Sequence, residues 1–153
     1  MSKPGQGQSA LAAAVGLLSR RDHSRGELER KLQHRGFLHE EIQRTLARVQ
    51  ALGYQDEARF AEGYVRYRSQ SGKGPLRLRA ELHERQLDDA LIRQALAQPE
   101  LDWFALCRLA RQRKFGDLPA CDPKLRQKMQ RFLAYRGFEY EQIRYALQPN
   151  GDD

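Results

Sequence analysis

A chain of 153 residues, 40% hydrophobic and 31% charged, has enough apolar material to fold and too much charge for a membrane bundle or a low-complexity tail. Its 27 Lys and Arg against 20 Asp and Glu leave a net charge of +7, which points to a polyanionic partner and says nothing of fold. Two cysteines, Cys107 and Cys121, form neither a Cys-x-x-Cys pair nor a disulfide framework, so a reducing, cytoplasmic setting is expected.

Residues 1–8 are Gly-rich or polar and are expected to be loose, as are residues 149–153. The first predicted helix, Ser9 to Arg20, contains the apolar run ALAAAVGLL. That run is shorter than the roughly 20 residues of a membrane span, and two arginines follow where an export signal needs small residues. It reads as a buried helix. Ser24 and Glu27 form a capping box for the second helix, whose core positions are Leu28 and Leu32. Arg35-Gly36-Phe37 closes it, the glycine supplying a left-handed residue and the phenylalanine folding back beside it. A third helix starts on Glu40 and Glu41 and carries Ile42 and Leu46 inward.

The same phrase then recurs at intervals of about fifty residues, with Arg35, Arg85 and Arg136 in register. Asp56 to Ser69 predicts a helix with Phe60, Tyr64 and Tyr67 on one face, read as core packing. Gly74-Pro75 starts the next, with Leu78 and Leu82 inward. Gln86 stands where the other two copies have glycine. If it adopts the same backbone it costs about 1 kcal/mol; otherwise that corner has a different shape. Asp88 and Asp89 open the helix of Ile92 and Leu96. In the last copy, Pro99 to Lys114 presents Trp103, Leu106 and Ala110 together, and Asp122-Pro123 starts a helix carrying Met129 and Leu133. Arg136-Gly137-Phe138 turns the corner, and Glu139 and Glu141 open the helix of Ile143 and Leu147. The fold class expected is all-α: three tandem three-helix units, residues 9–53, 54–98 and 99–148, stacked as an elongated, curved array.

Charge follows the repeat. Arg20 to Arg35 holds six basic and three acidic residues, Tyr64 to Arg85 six and two, Arg108 to Arg136 nine and two, while the third helices begin with carboxylates. Each unit therefore has a basic joint between its first and second helices, and the joints are expected to align as one stripe. Local pairs such as Glu27 with Lys31 and Arg77 with Glu81 suit i, i+4 spacing. The helix after Pro123 has no such relief, since Lys124, Arg126, Lys128 and Arg131 share it with no acid. Candidate binding residues are these four together with Arg25, Arg66, Arg68, Lys73, Arg77 and Arg79.

Catalytic and metal signatures are missing. The four histidines, His23, His34, His39 and His83, stand singly outside any ligand spacing, and there is no Walker loop, dinucleotide fingerprint or nucleophile elbow. No enzyme activity, cofactor or metal is expected. Two weaker signals are an anion-holding turn in the GKGP stretch from Gly72 to Pro75 and stacking of bases on Tyr64 and Tyr67.

Two function classes follow. One is a regulator acting directly on DNA, because two helices joined by a short corner resemble a helix-turn-helix. Against it, a recognition helix enters the groove by its beginning, and here those beginnings are acidic. Non-specific, salt-sensitive DNA contact through the basic joints remains compatible with the sequence. The other class is a modulator that docks on a nucleoprotein assembly. LLSRRDHSRGELERKLQHRGF, YQDEARFAEGYVRYRSQSGKGPLRLRAELHER and RFLAYRGFEYEQIRYAL resemble, in order and spacing, the RecX family of recombination regulators. The resemblance runs from Leu11 to Leu147 and is most specific at Asp56, Phe60, Ala61 and the GKGP turn followed by Leu82. The sequence departs from the family's habit at Gln86 and at Glu57, where glycine and a second aspartate are common. The resemblance implies a monomeric, non-enzymatic protein of three three-helix units that binds the RecA recombinase, sits in the groove of its filament on single-stranded DNA, and lowers ATP hydrolysis, strand exchange and filament growth.

Overall fold

The computed structural model describes residues 7–149. The loose ends expected at the termini fall mainly on residues 1–6 and 150–153, outside that range. Nine α-helices make up the regular structure of the described residues: α1 Ala10–Leu18, α2 Arg25–His34, α3 His39–Ala51, α4 Glu57–Gln70, α5 Pro75–Glu84, α6 Asp89–Leu96, α7 Trp103–Phe115, α8 Pro123–Tyr135 and α9 Tyr140–Ala146.

The starts are set by side-chain caps. Ser9, Ser24, Asp56, Asp102 and Asp122 each accept a hydrogen bond from a backbone N–H of the first turn, and the Ser24–Glu27 capping box is formed in both directions. Asp102 corrects the sequence-based start of α7. The helix begins at Trp103 rather than Pro99, because Asp102 Oδ1 accepts from the Ala105 N–H at 3.1 Å while Leu101 N–H turns back to the Gln98 carbonyl at 3.0 Å.

All three corners close alike. Phe37, Leu87 and Phe138 each donate their N–H to the carbonyl five residues earlier, of Leu32, Leu82 and Leu133, at 3.3, 3.3 and 3.2 Å. Gln86 takes φ 64°, so the middle corner keeps the shape of its glycine counterparts and bears the strain.

Three separate cores result, one per triplet. Leu28, Leu32, Ile42, Leu46 and Val49 anchor the first; Val65, Leu78, Leu82, Ile92 and Ala95 the second; Cys107, Met129, Leu133, Phe138 and Ala146 the third. Each helix packs chiefly on others of its own triplet, and no hydrogen bond or ion pair among the described residues joins the first unit to the third. The units form a tandem array, not one globule. Trp103 ties the last two together, packing against both cores while its indole N–H donates to the Leu96 carbonyl at 2.9 Å. Phe60 and Tyr64 point inward as expected; Tyr67 does not. It is 78% exposed, because residues 60, 64 and 65 already fill the buried side of α4.

Candidate functional site

Where consecutive units meet, the corner of the later unit seats on the start of the earlier unit's second helix. At the second junction the fit is backbone to backbone: Gly74 N–H donates to the Arg136 carbonyl at 2.8 Å and Leu76 N–H to the Gly137 carbonyl at 2.9 Å. A Cβ on Gly74 would lie 2.4 Å from the Gly137 carbonyl carbon, and one on Gly137 2.4 Å from the Arg77 Cβ, so both positions require glycine. This seating changes the meaning of the GKGP turn. Gly72 and Lys73 N–H groups close the end of α4 onto the Ser69 and Arg68 carbonyls, and the next free amides go to the neighbouring unit. The turn is an interlock, not an open anion nest.

The interlock gathers cations. Glu81 on α5 accepts from Tyr64 Oη at 2.7 Å, Arg68 Nη2 at 3.0 Å and Arg77 Nε at 3.3 Å. Burial alone would raise its carboxyl, but the hydrogen bonds from Tyr64 and Arg68 and the charge of Arg68 outweigh it and hold the group below the usual carboxylate range. The Tyr64 hydroxyl is pushed up to about 12, first by burial and then by that bond to Glu81. The Arg85 guanidinium lies over the Tyr64 ring at 4.8 Å. One carboxylate thus serves two arginines. Lys73 beside them is held below the ordinary lysine value by partial burial and then by the charges of Arg77, Arg136 and Arg68.

Of the residues singled out from sequence, Arg68, Lys73 and Arg77 come together here. Arg66, two positions and so about 200° around α4 from Arg68, reaches instead to Gln98 Oε1 at 3.0 Å. Arg25 donates its Nη2 to Gln43 Oε1 at 3.1 Å within the first unit, and Arg79 is exposed on α5. No described contact links these three to the second junction. Lys124, Lys128 and Arg131 are exposed along α8, and no ion pair among the described residues involves them. Arg126 is half-buried, with Nη1 3.4 Å from the Ala120 carbonyl.

Part of the third unit's basic surplus is internal. Arg111 is only 8% exposed and donates to the Ala146 carbonyl at 2.8 Å and the Leu118 carbonyl at 2.7 Å. Burial lowers its pKa, with smaller pushes from Arg108 and Arg126. It closes the C-terminal end of α9, a favourable place for a cation. Arg108 stacks on Tyr145 at 4.2 Å. Sequence reasoning counted both as surface charge because helical periodicity does not mark a buried arginine. Of the pairs foreseen, Arg77 with Glu81 forms, whereas Glu27 pairs with Arg21 at 3.3 Å and Lys31 Nζ donates to His23 Nε2 at 2.9 Å.

Burial pushes the Cys107 thiol up to about 12, which leaves it inert. Among the described residues no group of His, Cys, Asp and Glu is arranged to hold a metal ion, and no helix is long and apolar enough to cross a membrane.

What the geometry defines is a tandem three-helix array with a cationic seam at its second junction. Models of the first, second and third three-helix domains of RecX match residues 10–48, 56–96 and 100–147 in turn. The chain is 47% identical over 130 residues to the regulatory protein RecX of Pseudomonas entomophila, covering 85% of this chain and 84% of that one. It is 39% identical over 145 residues to the regulatory protein RecX of Vibrio parahaemolyticus, covering 95% and 94%. The crystal structure of RecX from Lactobacillus salivarius superposes with a TM-score of 0.75 at 23% identity, over 91% of this chain and 92% of that one. The chain belongs to the RecX family of regulatory proteins.

Proposed function

We propose that this chain is a monomeric, cytoplasmic regulator of the RecA recombinase that docks along the recombinase filament on single-stranded DNA and lowers ATP hydrolysis, strand exchange and filament growth. Family membership supports the partner. The observation that carries the mode of binding is α8, where Lys124, Lys128 and Arg131 stand exposed on a helix without an acid. Like charges on one helix repel, and an anionic partner relieves that repulsion. Lys73, near Arg136, adds to this surface and Arg79 stands as a separate exposed contact on α5, while Arg68 and Arg77, sharing Glu81, together contribute about one net charge. Arg25, Arg66 and Arg126 serve as peripheral contacts.

Separate weak contacts from consecutive units act together through effective concentration, so an array spanning several recombinase protomers binds more tightly than any unit alone. If about five cations face phosphate, raising salt from about 50 to 200 mM weakens binding by roughly two to three orders of magnitude. Direct regulation of DNA is less well supported, since Glu40, Asp88, Asp89, Glu139 and Glu141 lie exposed at the starts of α3, α6 and α9, where phosphate would be repelled.

The test is ATP hydrolysis by preformed RecA filaments on single-stranded DNA as this protein is titrated in. Hydrolysis should fall. Inhibition at amounts far below the recombinase indicates blocking of a filament end, and inhibition near the number of protomers covered indicates binding along the groove. Unchanged hydrolysis together with tight binding to bare duplex would replace this reading with the direct one.

A further inference from the structure

Beside Arg136, the second junction opens into a cleft of about 160 Å³ lined by Arg113, Lys114, Arg136, Phe132 and the Ser71–Gly72 turn. Its walls come from two units. Arg113 Nη1 donates to the Gln70 carbonyl at 2.8 Å and Arg136 Nη1 to the Ser71 carbonyl at 3.3 Å, both across the junction. Lys114 and Arg136 are steered over the Phe132 ring, at 5.5 and 5.0 Å from its centroid. A guanidinium has five N–H donors, so each arginine keeps donors beyond the one used on a carbonyl. No carboxylate lines the cleft.

We propose that this cleft is a phosphoryl-binding site that takes a backbone phosphate of single-stranded nucleic acid. Its volume is below the roughly 300 Å³ of ordinary small-molecule pockets and suits one tetrahedral oxyanion held by two guanidinium forks and an ammonium. The surroundings favour a linear polyanion over an isolated one. Lys73, Arg77 and Arg68 continue the positive run past Arg136, and Tyr135, 79% exposed with the Arg77 guanidinium 5.7 Å from its ring, offers a face for an unpaired base. None of Arg113, Lys114 and Arg136 is among the candidate binding residues drawn from the sequence. The site stands apart from the recombinase reading, because it is tested with the nucleic acid alone.

The experiment follows a fluorescent oligothymidylate by anisotropy between about 50 and 200 mM salt, with the intact protein, the double variant Arg113→Gln/Lys114→Gln, and Arg44→Gln/Arg48→Gln on α3 as a control of equal charge loss. Both cleft arginines bond across the junction, so Arg136 is left in place to keep one of those bonds, and circular dichroism checks that all three proteins are equally helical. The cleft variant should bind about tenfold more weakly, with the slope of log affinity against log salt reduced by about 1.4 for two lost single-strand contacts. The control should stay within about twofold. Competition at constant ionic strength separates the two sources of a phosphoryl group. Displacement by unlabelled oligothymidylate but not by pyrophosphate supports a backbone phosphate, and displacement by millimolar pyrophosphate overturns that assignment in favour of a free phosphate ligand. A cleft variant indistinguishable from the control overturns the site.

Discussion

The two junctions of this array solve one packing problem in opposite ways. At the first, carboxylates take the crossing bonds: the backbone N–H of Arg25 donates to Glu57 Oε1 at 2.8 Å, Arg59 pairs with Asp22 at 3.1 Å, and Gln55 Nε2 bridges the His23 carbonyl and Glu57 at 3.3 and 2.9 Å. At the second, glycine lets backbone meet backbone, and Arg113 and Arg136 spend their crossing bonds on carbonyls. A carbonyl fixes a guanidinium without neutralising it. The first seam thus carries its own carboxylates, Asp22 and Glu57, whereas the arginines bridging the second keep their charge, which supports the second and third units as the proposed anion-facing surface even though all three repeats are basic at their joints.

Breaking the second junction sterically should have the largest effect. Gly137→Ala puts a Cβ 2.4 Å from the Arg77 Cβ at φ 100°, adding overpacking of about 1–3 kcal/mol to a left-handed cost of about 1 kcal/mol. Gly53→Ala, with φ 79° and nothing within 4 Å, should lose only the latter. Urea unfolding of the pair measures the difference. Equal midpoints would mean the interlock carries no stability.

Glu81→Gln attacks the same seam electrically, leaving Arg68 and Arg77 without their shared carboxylate. A loss of about 2 kcal/mol is expected for charged hydrogen bonds at a half-buried site, again read from urea midpoints. A smaller contrast comes from pH. Burial, partly opposed by a bond to the Arg21 carbonyl, lowers the His23 pKa below 6.5, and the donation from Lys31 leaves the ring neutral with its proton on Nδ1. Folding then favours the unprotonated ring, so its contribution is full above pH 6.5 and fades as pH falls through the lowered folded value. Glu81, lowered from 4.5, holds its contribution above that value and loses it only on further acidification. Amide exchange at pH 5.5, corrected for intrinsic rates, should show Arg25 opening before Gly74; the reverse order would invert the comparison. Smallest is Gln86→Gly, which relieves φ 64° and should raise stability by up to about 1 kcal/mol, seen as a higher urea midpoint.

Most of the fold was legible because its signals are local. The capping box at Ser24, the prolines after Gly74 and Asp122 and the glycine corners each fix a backbone state within four residues, and the repeat multiplies them. Asp102 carries a capping signal of its own, but Pro99 competes with it as a helix start. The candidate surface was only half legible. The acid-free run of α8 is a property of one helix, and Lys124, Lys128 and Arg131 are exposed on it while Arg126 is half-buried. The burial of Arg111 and the turning of Tyr67 to solvent depend on how helices pack within a unit, and the convergence of Arg113, Lys114 and Arg136 on the Ser71–Gly72 turn on how units seat on one another. Spacing along the chain does not encode that. The glycines of GKGP were visible as a signal, but their reason, a backbone from 63 positions further along lying against Gly74, appears only in three dimensions.

The most direct test compares charge removal on the two ends of the array. Lys124→Gln/Lys128→Gln/Arg131→Gln and Arg30→Gln/Arg44→Gln/Arg48→Gln each remove three exposed cations, from the third and first units. In the RecA filament ATP-hydrolysis titration, the third-unit variant should need at least about tenfold more protein for half-inhibition, and the first-unit variant no more than about twofold. Equal shifts in the two variants would contradict the account, for they would mean that net charge, and not its placement beyond the second junction, governs binding.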